Sequence, residues 1–514
     1  MINIQSGLYK KLLVAMALII FGYKTVCAEK NIYTYTKQTT DLTNPSNRFE
    51  ISNTFITPAM LGVDTEEEKE NIIKKVSVKK VILRESIVDL KNIVKYEDKE
   101  MIFKPGEDGI LRCFDRDTSE ELWAFIPPNQ LSRLSLIIDR QNTYITSPGY
   151  NIFKNNARKI ILFGEGDKGK KYYALDITSR FSPVFLYEIN EEHTAYTKER
   201  QGESRGTPDI CKIKISGDAE DVFLIQGGYD ANNSAGRSLF TVKVSDGTLT
   251  GFNFNYNNYS KMNRSIIEAS CFDQDGDGIE DVIYVGDYGG NLFAINDKNQ
   301  DGNWEIKKLF FAPVKDGFEK KIFYAPKSVA ASWGGYIFFG TGDMTKPYNR
   351  EIVNRFYAIK DNQNEDCVNL TEDDLVNLTD KLILSQDKAE ILKQIESKKG
   401  WYIKLSEKGE KLAGSPILYG GSLYFTTYTP NLQSYGEARL YTLNYKNGTA
   451  VEYSTKQESR SVSEIIGEGI PSAPIIKILK NSSELHIEIR DEIIKKQPVE
   501  IPNLNVYFWR RIYN

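Results

Sequence analysis

The sequence predicts an all-β fold, a modified β-propeller of seven blades with a small helical insertion and a short N-terminal extension. The chain has 514 residues, of which 40% are hydrophobic and 26% charged, a composition that supports a large globular core. It contains 30 Tyr and 25 Phe against 5 Trp, and aromatic side chains fit the pleated surface of a β-strand. The composition therefore indicates β-strands, and a single hairpin pattern repeated along the chain predicts how they are arranged.

The repeated unit is a short apolar strand, a glycine-bearing turn and a second strand that ends in an aromatic, a small, an aliphatic and a polar residue. One hairpin cannot bury its apolar faces alone, whereas radial packing in a propeller buries both faces of each blade. A set of β-sandwiches is the alternative, and one signature persisting over residues 101–489 disfavours it. The copies begin at Met101, Ile160, Val222, Val282, Tyr336, Leu423 and, more weakly, Ile475.

The N-terminus has the layout of a secretory signal peptide over residues 1–28. Lys10 and Lys11 precede an apolar run, and small residues follow up to Ala28. We therefore expect export, to the periplasm or the outer cell surface, with no transmembrane segment in the mature chain. Lipidation of Cys27 and an uncleaved anchor are the alternatives, although the apolar run is shorter than the ~20 residues that a membrane span needs.

Residues 29–95 form the predicted N-terminal extension, ahead of a propeller over residues 96–514. A short helix is expected from Thr65 to Lys75. The apolar pieces around it are expected to pair with a C-terminal strand near Val506 to Ile512 and so to close the ring.

Nine residues, 273–281, read DQDGDGIED and match the needs of an oxygen-coordinated Ca²⁺. This ion takes about six to eight oxygen ligands, so carboxylates at places 1, 3 and 5 of a loop must converge while the chain turns sharply. Gly278 at place 6 permits the turn. The predicted ligands are Asp273, Asp275, Asp277, the backbone carbonyl of Ile279, and Asp281, which binds directly or through a water.

Place 12 distinguishes this loop from an EF-hand, which needs a bidentate Glu there and a helix on each side. Here place 12 is Tyr284, inside the β-branched apolar run VIYVG that predicts a strand. We therefore expect a calcium loop that leads into a β-sheet. The alternative, a solvated turn, is disfavoured because four carboxylates within nine residues repel one another without a cation.

A second cation loop is predicted at DKNQDGNWE, where Asp297, Asn299, Asp301 and Glu305 occupy places 1, 3, 5 and 9 of the same template. One hairpin separates the two loops, so both should emerge at the same end of one blade. An ordinary hairpin turn is the alternative, because Asn, Asp and Gly also dominate turns.

A polar and acidic segment, residues 361–399, interrupts the hairpins. Leu375, Leu378 and Leu382 follow Thr371 at helical spacing, so a Thr-capped helix is expected here. We expect this insertion to pack on one loop of the propeller as a decoration.

Four cysteines, Cys113, Cys211, Cys271 and Cys367, follow the predicted signal and form no C-x-x-C pair that would indicate a zinc site. The first three lie in apolar, strand-like runs, where buried free thiols are expected. Export would permit disulfides instead.

The composition also excludes classes of function. A formal charge of −4 offers no cationic field for nucleic acid, whose binding depends on phosphate neutralisation. The chain has 2 histidines, His193 and His486, both in polar stretches, so histidine-based catalysis is not expected. We predict no catalytic residues and no enzyme activity.

The motifs, in their chain order, resemble the PilY-type proteins of type IV pili, which are pilus biogenesis factors and tip adhesins. EDGILRCFDRDTSEELWAFIP resembles the opening blade of that family, KGKKYYALDITS the second, and DQDGDGIEDVIYVGDYGGNLF the calcium loop with its hairpin. GWYIKL from Gly400, SPILYGGSLYFTTYTP from Ser415 and GIPSAPII from Gly469 complete the series. The resemblance runs from about Phe103 to the C-terminus.

The resemblance implies one Ca²⁺ in the loop at residues 273–281, and a role in pilus biogenesis, extension and retraction, and surface attachment. It implies minor pilins of the tip complex as partners, and a host or abiotic surface as a further one. Family members often carry a von Willebrand A-like domain with a D-x-S-x-S metal site ahead of the propeller, and residues 29–95 contain no such motif. A priming or tip-capping role is therefore expected.

Two other functions stay open. The run GILRCFDRDTSEELW resembles blades of quinoprotein dehydrogenases, which pair Ca²⁺ with pyrroloquinoline quinone, but this chain has no adjacent cysteines and few tryptophans. A surface propeller that binds carbohydrate or matrix, with no link to pili, is the other alternative.

Overall fold

Seven β-sheets in the described part of the chain are arranged as the blades of a propeller, which confirms the predicted all-β fold. The structure is a computed structural model. It describes residues 31–499 apart from 79–92, 98, 107–108, 135–148, 167–168, 194–200, 233, 252–263, 298, 315–317, 332–333, 363–368, 380–387, 452–461, 480–481 and 491. The predicted signal peptide lies outside the described residues. No helix within them is long and apolar enough to cross a membrane.

Each blade is one sheet built mainly from antiparallel hairpins. Blade 1 consists of β1 (Asn31–Thr34), β2 (Ile93–Tyr96), β3 (Lys99–Pro105), β4 (Leu111–Asp115) and β5 (Glu121–Ile126). Blade 2 consists of β6 (Tyr150–Lys154), β7 (Lys159–Gly164), β8 (Tyr172–Asp176) and β9 (Val184–Ile189). Blade 3 consists of β10 (Asp209–Ile215), β11 (Asp218–Gln226), β12 (Leu239–Lys243) and β13 (Leu249–Gly251). Blade 4 consists of β14 (Ala269–Phe272), β15 (Val282–Gly286), β16 (Asn291–Asn296) and β17 (Glu305–Phe311).

The remaining blades carry the larger irregularities. Blade 5 consists of β18 (Lys327–Ala331), β19 (Gly334–Gly340), β20 (Arg355–Asp361), β21 (Val376–Asn377) and β22 (Gly400–Lys404). Blade 6 consists of β23 (Lys411–Leu412), β24 (Ile417–Tyr419), β25 (Ser422–Thr429), β26 (Glu437–Asn444) and β27 (Ser463–Glu468). Blade 7 consists of β28 (Ile475–Ile478), β29 (Ser483–Ile489) and β30 (Glu492–Lys496).

All seven predicted hairpins are present, one in each blade. They are the antiparallel pairs β3–β4, β7–β8, β11–β12, β15–β16, β19–β20, β25–β26 and β28–β29. In blade 4 every residue of β15 and β16 is buried, because the sheet packs between two neighbours. Six buried clusters join blades 1 to 7 in succession. Each fully buried aliphatic or aromatic side chain in them stabilises the fold by about 1.5–3 kcal/mol.

The predicted N-terminal extension contributes to blade 1. Its strand β1 pairs in parallel with β5, and the Thr34 hydroxyl donates to the Ile126 carbonyl over 2.9 Å. The expected helix is confirmed as α1 (Glu66–Val78). A capping box starts it, because the Thr65 hydroxyl accepts from the Glu68 N–H and the Glu68 carboxylate accepts from the Thr65 N–H. The expected ring-closing strand near Val506 to Ile512 lies outside the described residues.

The helix expected through Leu375, Leu378 and Leu382 is wrong. Thr371 caps a single 3-10 turn, Glu372–Asp374, after which β21 pairs in parallel with β22. Leu375 and Leu378 are buried in the core, because a spacing of three residues suits a short strand flanked by turns as well as a helix. The helix of this insertion is α2 (Lys388–Ser397), and Leu382 lies outside the described residues.

The expectation of free thiols is also wrong for two cysteines. Cys211 in β10 and Cys271 in β14 form a disulfide, with their Cα atoms 6.0 Å apart. The pairing follows from the fold, because β10 and β14 are the first strands of consecutive blades and lie next to each other. Cys113 is a buried free thiol as expected, and Cys367 lies outside the described residues.

Candidate metal centre

The predicted calcium loop connects β14 to β15, the first two strands of blade 4. Gly276 and Gly278 adopt left-handed backbone conformations, with φ of 84° and 88°, which a glycine tolerates without a steric penalty. Nothing lies within 4 Å of a Cβ placed on Gly278, so the backbone conformation rather than crowding requires glycine there. The loop thus turns as sharply as the sequence predicts.

Three carboxylates converge in this loop. The side chains of Asp273, Asp275 and Asp277 each place an oxygen within 4.8 Å of the others. The Asp273 carboxylate accepts from the N–H groups of Gly276 and Gly278, at 2.7 and 2.8 Å, and so holds the loop in its folded form. Each carboxylate oxygen has a second lone pair, so these bonds leave acceptor capacity for a cation.

Asp281 lies at the end of the loop and returns to its start. Its carboxylate accepts from the Gln274 N–H over 3.2 Å. Burial, with Asp275 and Asp273 as further causes, raises the pKa of Asp281 to about 7. Burial also raises the pKa of Asp275, helped by the charges of its neighbours. The ionised loop is therefore short of positive charge, and an oxygen-only donor set of this kind suits a hard divalent cation.

Two further predicted positions are placed by the fold. The Ile279 N–H donates to Asp277 over 2.8 Å, so Ile279 continues the turn that its predicted carbonyl ligand requires. Tyr284, at place 12, is fully buried in β15 and donates its hydroxyl to Asp361 over 2.9 Å. The loop therefore leads into a strand and ends without an EF-hand ligand. Coordination of Ca²⁺ by these residues stays a prediction.

The second loop, between β16 and β17, lies beside the first, as expected from their hairpin. The Gln300 side-chain amide donates to the Asp277 carboxylate over 2.8 Å, and this bond lowers the pKa of Asp277. The Asp297 N–H donates to the Asp281 carbonyl over 2.8 Å. The two loops therefore form one hydrogen-bonded surface at one end of blade 4.

The acidic residues of the second loop are used differently. The Asp297 carboxylate accepts from the N–H groups of Asp301 and Gly302, at 3.1 and 2.9 Å, as an ordinary turn does. In the part of the chain that the structure describes, this loop brings no three acidic side chains together as the first loop does. Metal binding by Asp297, Asn299, Asp301 and Glu305 stays a prediction.

Strand β10 of blade 3 contributes residues that the sequence analysis missed. The Glu280 carboxylate accepts from the Lys212 N–H over 2.5 Å, and the Glu280 N–H donates to the Lys212 carbonyl over 2.8 Å. The Asp209 carboxylate accepts from the Cys271 N–H over 3.0 Å. These contacts tie both ends of the calcium loop to the neighbouring blade. No spacing within the loop indicates them, because they depend on strand packing.

Glu268, just before β14, was also missed. Its carboxylate accepts from the Thr207 N–H (3.4 Å), the Ala325 N–H (3.0 Å) and the Ser415 hydroxyl (3.5 Å). Thr207 and Ala325 precede the first strands of blades 3 and 5, and Ser415 lies between β23 and β24 of blade 6, so one side chain links four blades. A repeated small-residue–proline pair at 207–208, 325–326, 415–416 and 473–474 is the sequence signal that could have found this position.

Two curated proteins are similar to the chain. One, a type IV pilus biogenesis factor PilY1 homolog of Xylella fastidiosa strain Temecula1, is 26% identical over 428 residues, which is 72% of this chain and 27% of that protein. A second PilY1 homolog of the same strain is 23% identical over 353 residues, which is 64% of this chain and 27% of that protein. No protein-family model matches the chain. The match thus spans a minor part of each relative.

The fold is similar to a solved structure, the C-terminal domain of Pseudomonas aeruginosa PilY1. The TM-score is 0.59 at 17% identity, over 77% of this chain and 92% of that domain. At this identity the likeness shows the fold alone, and it agrees with the seven-bladed arrangement. Sequence and fold together confirm that the chain is similar to the PilY-type proteins of type IV pili.

Proposed function

We propose that the chain is a calcium-binding protein of type IV pilus biogenesis that acts at the pilus tip or the outer cell surface after export. The observation that carries the calcium part is the convergence of Asp273, Asp275 and Asp277 in a glycine-turned loop. The similarity to PilY1 homologues supports the pilus part.

The loop residues support a regulatory role for the ion. When bound, Ca²⁺ supplies the positive charge that the carboxylates lack. The carboxylates then draw together, and Asp277 and Asp281 carry this change to the second loop through Gln300 and Asp297. We propose that minor pilins contact this end of blade 4, and that the loop conformation controls pilus extension, retraction and surface attachment by shifting populations of the two states.

A binding role without catalysis is part of the proposal. His193 in the segment after β9 contacts Asn190, and His486 in β29 pairs with Glu484 over 2.7 Å. The two histidines thus lie in blades 2 and 7 with local partners, and neither is near the acidic loop. This arrangement supports a recognition protein rather than a hydrolase or a dehydrogenase.

Co-purification with the minor pilins tests the proposal. The tagged full chain is isolated from cells in calcium and in EGTA, beside an Asp273→Ala variant and an Asp117→Ala control at an exposed carboxylate of blade 1. We expect minor pilins with the wild type and the control in calcium, and their loss in EGTA or in Asp273→Ala. Electron microscopy of the same strains then counts pili. Pilin capture and pilus number that are the same in all strains and conditions would contradict the calcium role, and the absence of pilins throughout would contradict the pilus role.

A further inference from the structure

We propose that the Cys211–Cys271 disulfide regulates the calcium loop: the closed disulfide holds the loop in its binding conformation, and reduction by a dithiol weakens calcium binding. This inference rests on the proposed binding of Ca²⁺ at residues 273–281. It makes the calcium affinity of that site depend on the oxidation state of the disulfide, and it assigns a supporting role to β10 of the neighbouring blade.

The position of the disulfide is the first observation. Cys271 lies in β14, two residues before the predicted ligand Asp273. Cys211 is buried in β10 of blade 3. The covalent bond therefore fixes the start of the loop to a different blade from the one that carries the loop. Movement of β10 relative to β14 would displace the first ligand directly.

The far end of the loop is held by the same strand. Glu280, next to the predicted ligand Asp281, makes two hydrogen bonds with Lys212, the residue after Cys211: its carboxylate accepts from the Lys212 N–H, and its N–H donates to the Lys212 carbonyl. Asp209 adds a third contact, to the Cys271 N–H. Residues 209–212 of β10 thus contact both ends of the loop. The disulfide is the covalent bond among these contacts, and the others are hydrogen bonds.

Preorganisation gives the coupling its physical basis. Bringing Asp273, Asp275 and Asp277 together is opposed by their mutual repulsion and by the entropy of the loop. A loop fixed at both ends loses less entropy on binding, so its affinity is higher. With the disulfide open, β10 is held against β14 by hydrogen bonds and by the buried side chains between the two blades, without a covalent bond. Coupling between two sites is typically about 5–150-fold and acts equally in both directions.

The chemical step is a thiol–disulfide exchange. A thiolate of the dithiol attacks the sulfur of Cys271, which is partly exposed whereas Cys211 is buried. The S–S bond breaks, two electrons and two protons pass to the Sγ atoms of the two cysteines, and the reductant closes to a cyclic disulfide. Reoxidation by a disulfide oxidant reverses the step.

Calorimetric titration with Ca²⁺ tests the proposal on the full chain. The oxidised protein, the dithiothreitol-treated protein and a Cys211→Ser/Cys271→Ser double variant are compared. Cys113→Ser, at the buried free thiol of blade 1, is the matched control. We expect about tenfold weaker binding, within the usual range of coupling, for the reduced protein and the double variant, and wild-type binding for the control.

A second measurement keeps the test independent of whether the double variant folds. The wild-type protein is equilibrated with defined ratios of reduced to oxidised dithiothreitol, with calcium and with EGTA. We expect calcium to shift the equilibrium toward the disulfide by the factor found in the titrations. Calcium affinity that is the same in oxidised and reduced protein, or a thiol–disulfide equilibrium unmoved by calcium, overturns the coupling. Absence of calcium binding by the oxidised protein overturns the proposed function instead.

Discussion

The acidic residues of the calcium loop are not equivalent. Asp277 already has a partner in the Gln300 amide, and this bond keeps its pKa low. Asp281 lies deeper, and burial raises its pKa to about 7. Its charged form therefore gains most from a nearby cation, which makes Asp281 the informative residue to replace.

Replacing Asp281 with Ala should weaken calcium binding by at least about tenfold, since loss of an interaction with a charged group costs about 1.5–3 kcal/mol. Calorimetric titration measures the effect. Asp117→Ala, at an exposed carboxylate of blade 1, is the control and should bind like the wild type, because it lies in a different blade from the predicted site. Wild-type affinity in Asp281→Ala would refute the site.

Replacing Asp281 with Lys should have the opposite structural effect. The ammonium group can neutralise the carboxylates of Asp273 and Asp275 roughly where the ion would sit. The variant should therefore keep the loop folded without metal, and EGTA should leave its melting temperature unchanged while lowering that of the wild type. Equal sensitivity of the two proteins to EGTA would count against this prediction.

The sequence could indicate the site residues whose contacts are local, but not those whose contacts are with another blade. The spacing of Asp273, Asp275 and Asp277 is local, so the loop could be predicted from a nine-residue string. Glu280 and Cys211 act across two blades, and the distance in sequence between Cys211 and Cys271 is 60 residues. Only the packing of β10 beside β14 brings them together, and no local pattern encodes that packing.

At the scale of elements, hairpins were predicted well because a short apolar run next to a glycine-bearing turn is typical of a buried strand, and this pattern is repeated. The strand β21 was mistaken for a helix because it has two residues and flanking leucines three apart. Its parallel pairing with Trp401 and Tyr402 decides the conformation. Pairing with a strand outside the segment thus determines its conformation, although the spacing of its leucines weakly favours a helix.

The short strand β23 offers a test of how blades 5 and 6 are joined. Lys411 is buried, and its Nζ donates to the carbonyls of Pro347 and Asn349, at 2.5 and 2.9 Å, in the β19–β20 loop. Burial lowers its pKa from 10.5 to about 8. Between these two pH values the unfolded chain binds more protons at Lys411 than the folded chain does, so this lysine makes stability rise with pH.

Comparison of the wild type with Lys411→Met should show this dependence. From pH 8 to about 10.5 the free energy of unfolding of the wild type should rise relative to that of the variant, and below pH 8 the difference should be constant. Urea unfolding at several pH values measures it. Lys408→Met, at an exposed position nearby, is the control and should run parallel to the wild type. Parallel curves for Lys411→Met would contradict the prediction.

At the scale of the whole molecule, most stability comes from the buried clusters between blades rather than from one ion. A bound ligand at a hundredfold excess over Kd adds about 2.7 kcal/mol. Removal of calcium should therefore loosen residues 271–296 and the facing strand β10 before other parts. Hydrogen exchange with and without EGTA checks this, and the strands at Tyr172 and Tyr424 should keep their protection. Simultaneous loss of protection in every blade would make the ion a structural component of the entire fold.

Glu268 should matter for the ring as a unit, because its carboxylate joins blades 3, 4, 5 and 6. Glu268→Ala leaves the Ala325 and Thr207 N–H groups without this acceptor and should lower the free energy of unfolding by about 2 kcal/mol or more. Glu268→Gln keeps one acceptor oxygen and should cost less. Urea unfolding of both variants measures the order, and equal stability of Glu268→Ala and the wild type would contradict it.

The number of blades could be predicted because the hairpin signature is repeated, and repetition is visible in one sequence. The role of Glu268 could not, since it immediately precedes its strand, at the place where blades 3, 5, 6 and 7 carry a proline. Its contacts with blades 3, 5 and 6 become visible only when the blades are packed together in the fold.

The disulfide also determines how the molecule responds to pulling. When the two ends of the chain are drawn apart, force passes from Cys211 to Cys271 through the S–S bond, and the segment between them is not stretched. Its 60-residue separation corresponds to about 200 Å of extended chain. An oxidised molecule is therefore shorter at full extension than a reduced one by this length, so a dithiol would convert a stiff tether into a longer, more compliant one.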